Sequence, residues 1–114
     1  LVYTFGVAAG RITPHQMMAL LSQQPAKLFG MYPRKGDLAV GSDGDIVIFD
    51  PQYTWRITAQ AQYQNVDYTP YEDMEMAGRT DTVLLSGQVA VERGRVTAEG
   101  RGRYVRRGPC QFWR

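Results

Sequence analysis

Pro25-Ala26-Lys27-Leu28-Phe29-Gly30, then Tyr32-Pro33-Arg34-Lys35-Gly36, then Val40-Gly41-Ser42-Asp43-Gly44-Asp45-Ile46-Val47-Ile48-Phe49-Asp50: across this stretch the chain changes from a helical to a strand texture. Residues 26–29 predict a short helix stopped by Gly30, because glycine enters the left-handed conformation of a C′ position without a Cβ penalty. The β-branched run Ile46-Val47-Ile48-Phe49, bounded by Asp-Gly and Asp-Pro, predicts a buried strand.

Upstream, Thr13-Pro14-His15-Gln16 reads as a helix start. Thr13 caps the first amides, Pro14 suits the first helical position and Gln16 completes a capping box. Met17, Leu20 and Leu21 follow on one stripe, expected to face a core. Pro25 is expected to end or restart this helix. Residues 1–9 are apolar on every face and predict a helix meant to be buried by something outside this chain. Downstream, Thr54-Trp55-Arg56-Ile57-Thr58 alternates as a half-buried strand does. Residues 82–85, 88–92 and 95–97 predict three more strands, joined by tight turns at Ser86-Gly87 and Arg93-Gly94. The expectation is a meander of about five strands behind two helices. Residues 59–81 read as a long loop rich in tyrosine, and loops of that length are usually functional or interfacial. Residues 100–114, with Gly100, Gly102, Gly108 and Pro109, predict an extended tail.

The chain has 114 residues, one-domain size, yet Leu1-Val2-Tyr3 reads as the middle of something larger. No stretch has the layout of a secretion signal or the length of a membrane span. One cysteine, Cys110, and one histidine, His15, exclude a disulfide framework and a self-contained zinc site of nitrogen and sulfur ligands. Single-cysteine usage fits a reducing cytoplasm. Charge is uneven. From Arg93 onward seven arginines oppose one acid, a net +6, whereas the preceding part carries six basic and ten acidic residues, a net −4. Arginine without lysine suits forked pairing with carboxylates at an interface, which ranks ahead of a solvated tail or nucleic-acid binding.

The quoted stretch, with Asp67-Tyr68-Thr69-Pro70-Tyr71-Glu72, resembles the dihydropyrimidinase and D-hydantoinase group of the amidohydrolase superfamily. The resemblance runs from Leu1 to about Arg103, with Gly44 where relatives usually carry Ala and Gln24 where they carry Asn. It implies an α/β parent, a (β/α)₈ barrel plus a β-sandwich, of which this chain covers the last barrel-side helices (residues 1–36), the C-terminal half of the sandwich (37–99) and a basic tail (100–114). It implies hydrolytic ring opening of hydantoins or dihydropyrimidines by a parent that carries two zinc ions bridged by a carboxylated lysine. The implied partners are the N-terminal barrel of the same polypeptide, a homo-oligomer (dimer or tetramer) and a cyclic amide, with no nucleic acid and no membrane. Metal ligands and catalytic aspartate would lie upstream, so no catalytic, cofactor or metal residue is expected here. Two other readings stand beside it: a non-enzymatic scaffold of the same fold, and a stand-alone small β domain binding anions through its arginines.

Individual residues fit structural roles better than chemical ones. His15 sits in a first helical turn with no partner at fixed spacing. Asp43 and Asp45 lack the rest of a calcium loop and read as turn residues bonded to their own backbone. Asp67, Glu72, Asp73 and Glu75 read as a solvated or subunit-facing loop, a partner for the arginine tail. Cys110 reads as a small packed residue, although nearby arginines would favour its thiolate. Trp55 reads as an anchor. Tyr68, Tyr71, Arg103, Arg106, Arg107, Phe112 and Trp113 are the interface candidates.

Overall fold

The computed structural model describes residues 1–112. A helical layer comes first and a four-stranded antiparallel sheet second. Helix α1 (Tyr3–Ala8) is wound with wide hydrogen-bond spacing, and Gly10, at φ +71°, turns the chain out of it. Helix α2 spans residues 14–28 in three parts: Pro14–Met18, a wide turn Ala19–Gln23, and Gln24–Leu28. Its capping box forms as expected. Gln16 N–H donates to Thr13 Oγ1 at 3.1 Å, and Thr13 N–H donates to Gln16 Oε1 at 2.8 Å.

Pro25 restarts the regular helix, as expected, standing in the first turn of Gln24–Leu28 without interrupting the helical path. Met18, Gln23 and Gln24 all keep right-handed helical dihedrals, and Gln24 N–H bonds Ala19 O across the wide turn. The wider turn separates the proline ring from the carbonyl four residues back, where a regular helix would clash. Gly30, φ +67°, then ends α2: Gly30 N–H bonds Lys27 O at 3.2 Å and Met31 N–H bonds Ala26 O at 2.8 Å, a Schellman closure.

The sheet runs β1 (Ile46–Arg56), β2 (Glu75–Leu85), β3 (Gln88–Glu92), β4 (Arg95–Val96), paired in that order. Four strands replace the expected five, because residues 46–49 and 54–56 belong to one strand that accommodates Pro51 as an irregularity between Asp50 and Thr54. Strand β2 begins at Glu75, inside the expected loop, leaving residues 57–74 as the connection, with a short turn at Ala59–Ala61. Ser86 and Gly87 (φ +53° and +77°), and Arg93 and Gly94 (φ +50° and +74°), form the two hairpin turns as read from sequence. Thr97, expected in the last strand, lies just outside it, and residues 100–112 form no helix or strand, as expected.

Helix α1 docks on β2 through Thr4. Its hydroxyl donates to Ala77 O at 3.1 Å and accepts from Ala77 N–H at 3.2 Å, completing the edge that β3, paired only from Thr82 onward, leaves open. Beside it Tyr3 and Phe49 pack with ring centroids 4.7 Å apart. Gly78, φ +72°, lies beneath both rings; a Cβ there would sit 2.6 Å from Phe49 Cε1 and 2.9 Å from Tyr3 Cδ1. Trp55 is half-buried as an anchor, its Nε1–H donating to Gly78 O at 3.0 Å. Residues 1–9 therefore find part of their cover in this chain's own sheet.

The rest of the apolar surface does not. Among the described residues only Ala26, Ile57 and Met76 form a buried hydrophobic core. The stripe expected to face inward is open: Leu20 and Leu21 are 56% and 58% exposed. The strand expected to be buried is open too, with Val47 and Ile48 both more than half exposed. Successive strand residues point to opposite faces, so β1 is uncovered on both. It is also an edge strand, paired on one side only among the described residues. Total accessible surface is 8855 Å², where a self-contained globule of this mass would expose about 6,300 Å². The radius of gyration is 15.7 Å, against about 13 Å for a compact domain of this length.

Candidate functional site

Two constellations organise the polar surface. The first joins the two loop motifs between α2 and β1. Arg34 Nε lies 3.0 Å from Asp43 Oδ2, Lys35 Nζ lies 2.9 Å from the same oxygen, and Lys35 also pairs with Asp45 Oδ2. Asp45 Oδ1 accepts the Ser86 N–H at 2.8 Å, and Gly44 O accepts the Gly87 N–H at 2.8 Å. One carboxylate thus ties Lys35 to the tip of the β2–β3 hairpin. Lys35 is held above its ordinary value, chiefly by its bond to Asp45. Asp43 is held below the usual carboxylate range by Lys35 and then Arg34. For Asp45 partial burial works upward, but Lys35 and the Ser86 amide outweigh it and the net direction is down. The aspartates are therefore not turn residues serving only their own backbone. Their side chains clamp the start of β1, a contact the spacing alone does not reveal.

The second constellation is the end of α2. The tail returns to it: Gly108 N–H donates to Gly30 O at 2.7 Å, Gln111 N–H to Lys27 O at 3.0 Å, and Gln111 Nε2 to Tyr32 O at 3.0 Å. Gln111 N–H is a second donor to Lys27 O, which also accepts the Gly30 N–H, while the other two bonds engage carbonyls of the turn that follows the helix. The approach is close enough that a Cβ on Gly30 would lie 2.6 Å from Gly108 C and 2.8 Å from Pro109 O.

The expected interface residues stay on the surface. Tyr68 and Tyr71 are exposed in the 57–74 connection, Arg103, Arg106 and Arg107 are exposed along the tail, and Phe112 is half exposed; Trp113 lies outside the described residues. Tyrosines and tail arginines are not joined to each other by any hydrogen bond or ion pair among the described residues. The acidic stretch engages its own neighbourhood. Glu75 pairs with Arg56 at 3.3 Å, Asp73 O accepts from Arg56 Nη1 at 2.9 Å, and Glu72 Oε2 accepts the Ala59 N–H at 2.8 Å. His15 is exposed, as expected of a first-turn residue. Cys110 is exposed rather than packed.

No group of three histidine, cysteine or carboxylate side chains converges among the described residues. Lys35 does not suit carboxylation, which needs a neutral amine, because it is held protonated between two carboxylates. The described residues thus do not fit a dinuclear zinc centre. No described helix is long and apolar enough to cross a membrane.

Known proteins show the same segment within longer chains. D-phenylhydantoinase of Escherichia coli is 43% identical over 110 residues, covering 96% of this chain but 24% of that protein. A Thermus sp. D-hydantoinase (dihydropyrimidinase) structure matches with TM-score 0.92 and 45% identity over 97% of this chain and 24% of its own. An L-hydantoinase (dihydropyrimidinase) structure from Arthrobacter aurescens matches with TM-score 0.83 and 35% identity over 86% of this chain and 22% of its own. Coverage of 97% carries the likeness into the tail, past Arg103, where the recognisable motifs end. The chain spans about a quarter of these relatives. The family model for the amidohydrolase family matches residues 2–90, and with the relatives above it shows that this chain belongs to the amidohydrolase family.

Proposed function

We propose that this chain is the C-terminal part of a metal-dependent hydrolase that opens cyclic amides of the hydantoin or dihydropyrimidine type, and that its own role is structural. In this reading residues 1–36 are terminal helices of a barrel's outer layer, residues 37–99 are half of a β-sandwich, and residues 100–114 are a strap that contributes to subunit contacts through Arg103, Arg106, Arg107, Phe112 and Trp113, with Tyr68 and Tyr71 as further contacts. The remaining polypeptide would hold the two zinc ions and the catalytic aspartate.

The observation that carries this reading is the surplus of surface. The chain exposes roughly 2,500 Å² more than a closed globule of its mass. That is about three times one partner's share of a standard protein–protein interface. The surplus is apolar where it matters, on α2 and on both faces of β1. Surface of that kind and extent calls for an intramolecular partner of domain size.

The test compares the isolated 114-residue chain with the full polypeptide that contains it, measuring bound zinc and hydrolysis of hydantoin and dihydrouracil. The full polypeptide is expected to bind metal and turn over at least one ring, and the isolated chain to do neither. Stoichiometric zinc or measurable turnover by the isolated chain overturns the assignment, as does a full polypeptide inert toward both rings.

A further inference from the structure

We infer that the cleft between the β2–β3 hairpin and the first residues of the tail is an oxyanion-binding site built around Arg101 and Arg103. The cleft measures about 560 Å³ and is lined by Leu85, Ser86, Gln88 and residues 100–103, with no carboxylate among its lining residues. That volume lies within the range of small-molecule sites.

One wall is held rigid. The Ser86-Gly87 tip is bonded from behind by Asp45 Oδ1 and Gly44 O, so it cannot fold into the opening. The carboxylate behind it is already committed to Lys35. The opposite wall carries the cations. Arg101 Nη1 donates to Gln88 Oε1 at 2.5 Å, which orients one guanidinium while leaving its other N–H groups available. Among the described residues, no backbone N–H from Gly100 to Arg103 has a backbone acceptor, and neither arginine belongs to an ion pair. Gly102, without a side chain, leaves the backbone open to a ligand; a Cβ there would meet nothing within 4 Å. Two guanidinium forks, a serine hydroxyl and free amides are donors throughout, the recognition set for a carboxylate or a phosphate.

The oxyanion has two sources, a free small anion or an acidic side chain of a second copy of the polypeptide, and two measurements on the full polypeptide distinguish them. The first is calorimetric titration with inorganic phosphate and with succinate. The second is sedimentation of wild type and of the R101Q/R103Q variant. If the ligand is free, phosphate or succinate binds wild type saturably, and R101Q/R103Q binds at least about tenfold more weakly. If the ligand is a neighbouring carboxylate, R101Q/R103Q sediments as a smaller species at a concentration where wild type does not. R101K/R103K keeps the charge but loses the forks, so it shows either defect in part and guards against misfolding; R11Q, changed at an exposed arginine outside the cleft, shows neither. No titration heat together with unchanged sedimentation overturns the inference, and so does phosphate binding that survives R101Q/R103Q. The outcome is independent of ring hydrolysis: an active hydrolase that fails both measurements refutes the cleft and leaves the proposed activity standing.

Discussion

Replacing Gly30 by alanine should release the tail from the end of α2. The residue sits at φ +67°, and its added Cβ would lie 2.6 Å from Gly108 C and 2.8 Å from Pro109 O, both main-chain atoms that no rotamer change can move. Gly10 offers an internal standard, because it has a similar φ of +71° and open space where the Cβ would go. Both substitutions carry the left-handed strain of about 1 kcal/mol. Only G30A also displaces the segment that donates Gly108 N–H to Gly30 O and Gln111 N–H to Lys27 O. At about 1 kcal/mol net for each of these two backbone bonds, and leaving aside the Gln111 side-chain bond to Tyr32 O, tail docking loses at least about 2 kcal/mol. The detached population then rises about thirty-fold. Limited trypsin digestion of the full polypeptide, followed by mass spectrometry, reads that population directly at Arg106 and Arg107. Cleavage there should accelerate about thirty-fold in G30A and stay near wild type in G10A. Equal rates in the two variants would refute the claim that the tail rests on Gly30.

Thr4→Val keeps the side-chain shape but strands both the N–H and the C=O of Ala77; it should cost about 2 kcal/mol in urea denaturation and expose the Ala77 amide to hydrogen exchange, while Thr4→Ser should recover most of the loss. Gly78→Ala should cost about 3 kcal/mol by pushing against the Tyr3–Phe49 pair, and in a Phe49→Leu background the added cost should shrink. The Lys35–Asp43–Asp45 clasp predicts a pH window. The aspartates are depressed, so their contribution is present above the ordinary value of 3.8 and disappears as pH falls through their lowered values. Lys35 is raised, so its contribution is complete below 10.5 and is lost as pH climbs beyond it. D43N/D45N should therefore lower Tm at pH 7, with the difference narrowing as pH falls below 3.8; a difference that does not narrow on acidification contradicts the assignment.

Features carried by neighbouring residues were legible in the sequence. The Thr13–Gln16 capping box, the Gly30 stop and both hairpin turns rest on residues at most a few positions apart, and each appears as read. Strand β2 is not legible from Glu75 to Asp81 because Met76, Ala77 and Gly78 lack the β-branched signal; Glu75, Met76 and Ala77 take their strand state from pairing with Arg56, Trp55 and Thr54, and Gly78 falls at the irregularity between Asp50 and Thr54. Pro25 restarts the regular helix as read, in the first turn of Gln24–Leu28, whereas the wide turn Ala19–Gln23 that lets the helical path continue leaves no mark in the sequence. The clasp is not legible in the sequence because its members stand ten and some forty positions apart in the chain. The unburied stripe and strand show that periodicity identifies the apolar face without saying whose surface covers it.

The exposure of Val47 and Ile48 on opposite sides of an edge strand bears on how this chain behaves in isolation. Ile46-Val47-Ile48-Phe49 carries neither charge nor proline, so it resembles the short segments that zip into cross-β fibres when nothing caps their free amides. Produced without its neighbours, the polypeptide would present this tetrad to other copies of itself and self-associate as its concentration rises. A lysine gatekeeper at Val47 would then help a crystallographer keep the orphan in solution, at the expense of the surface it was shaped to meet.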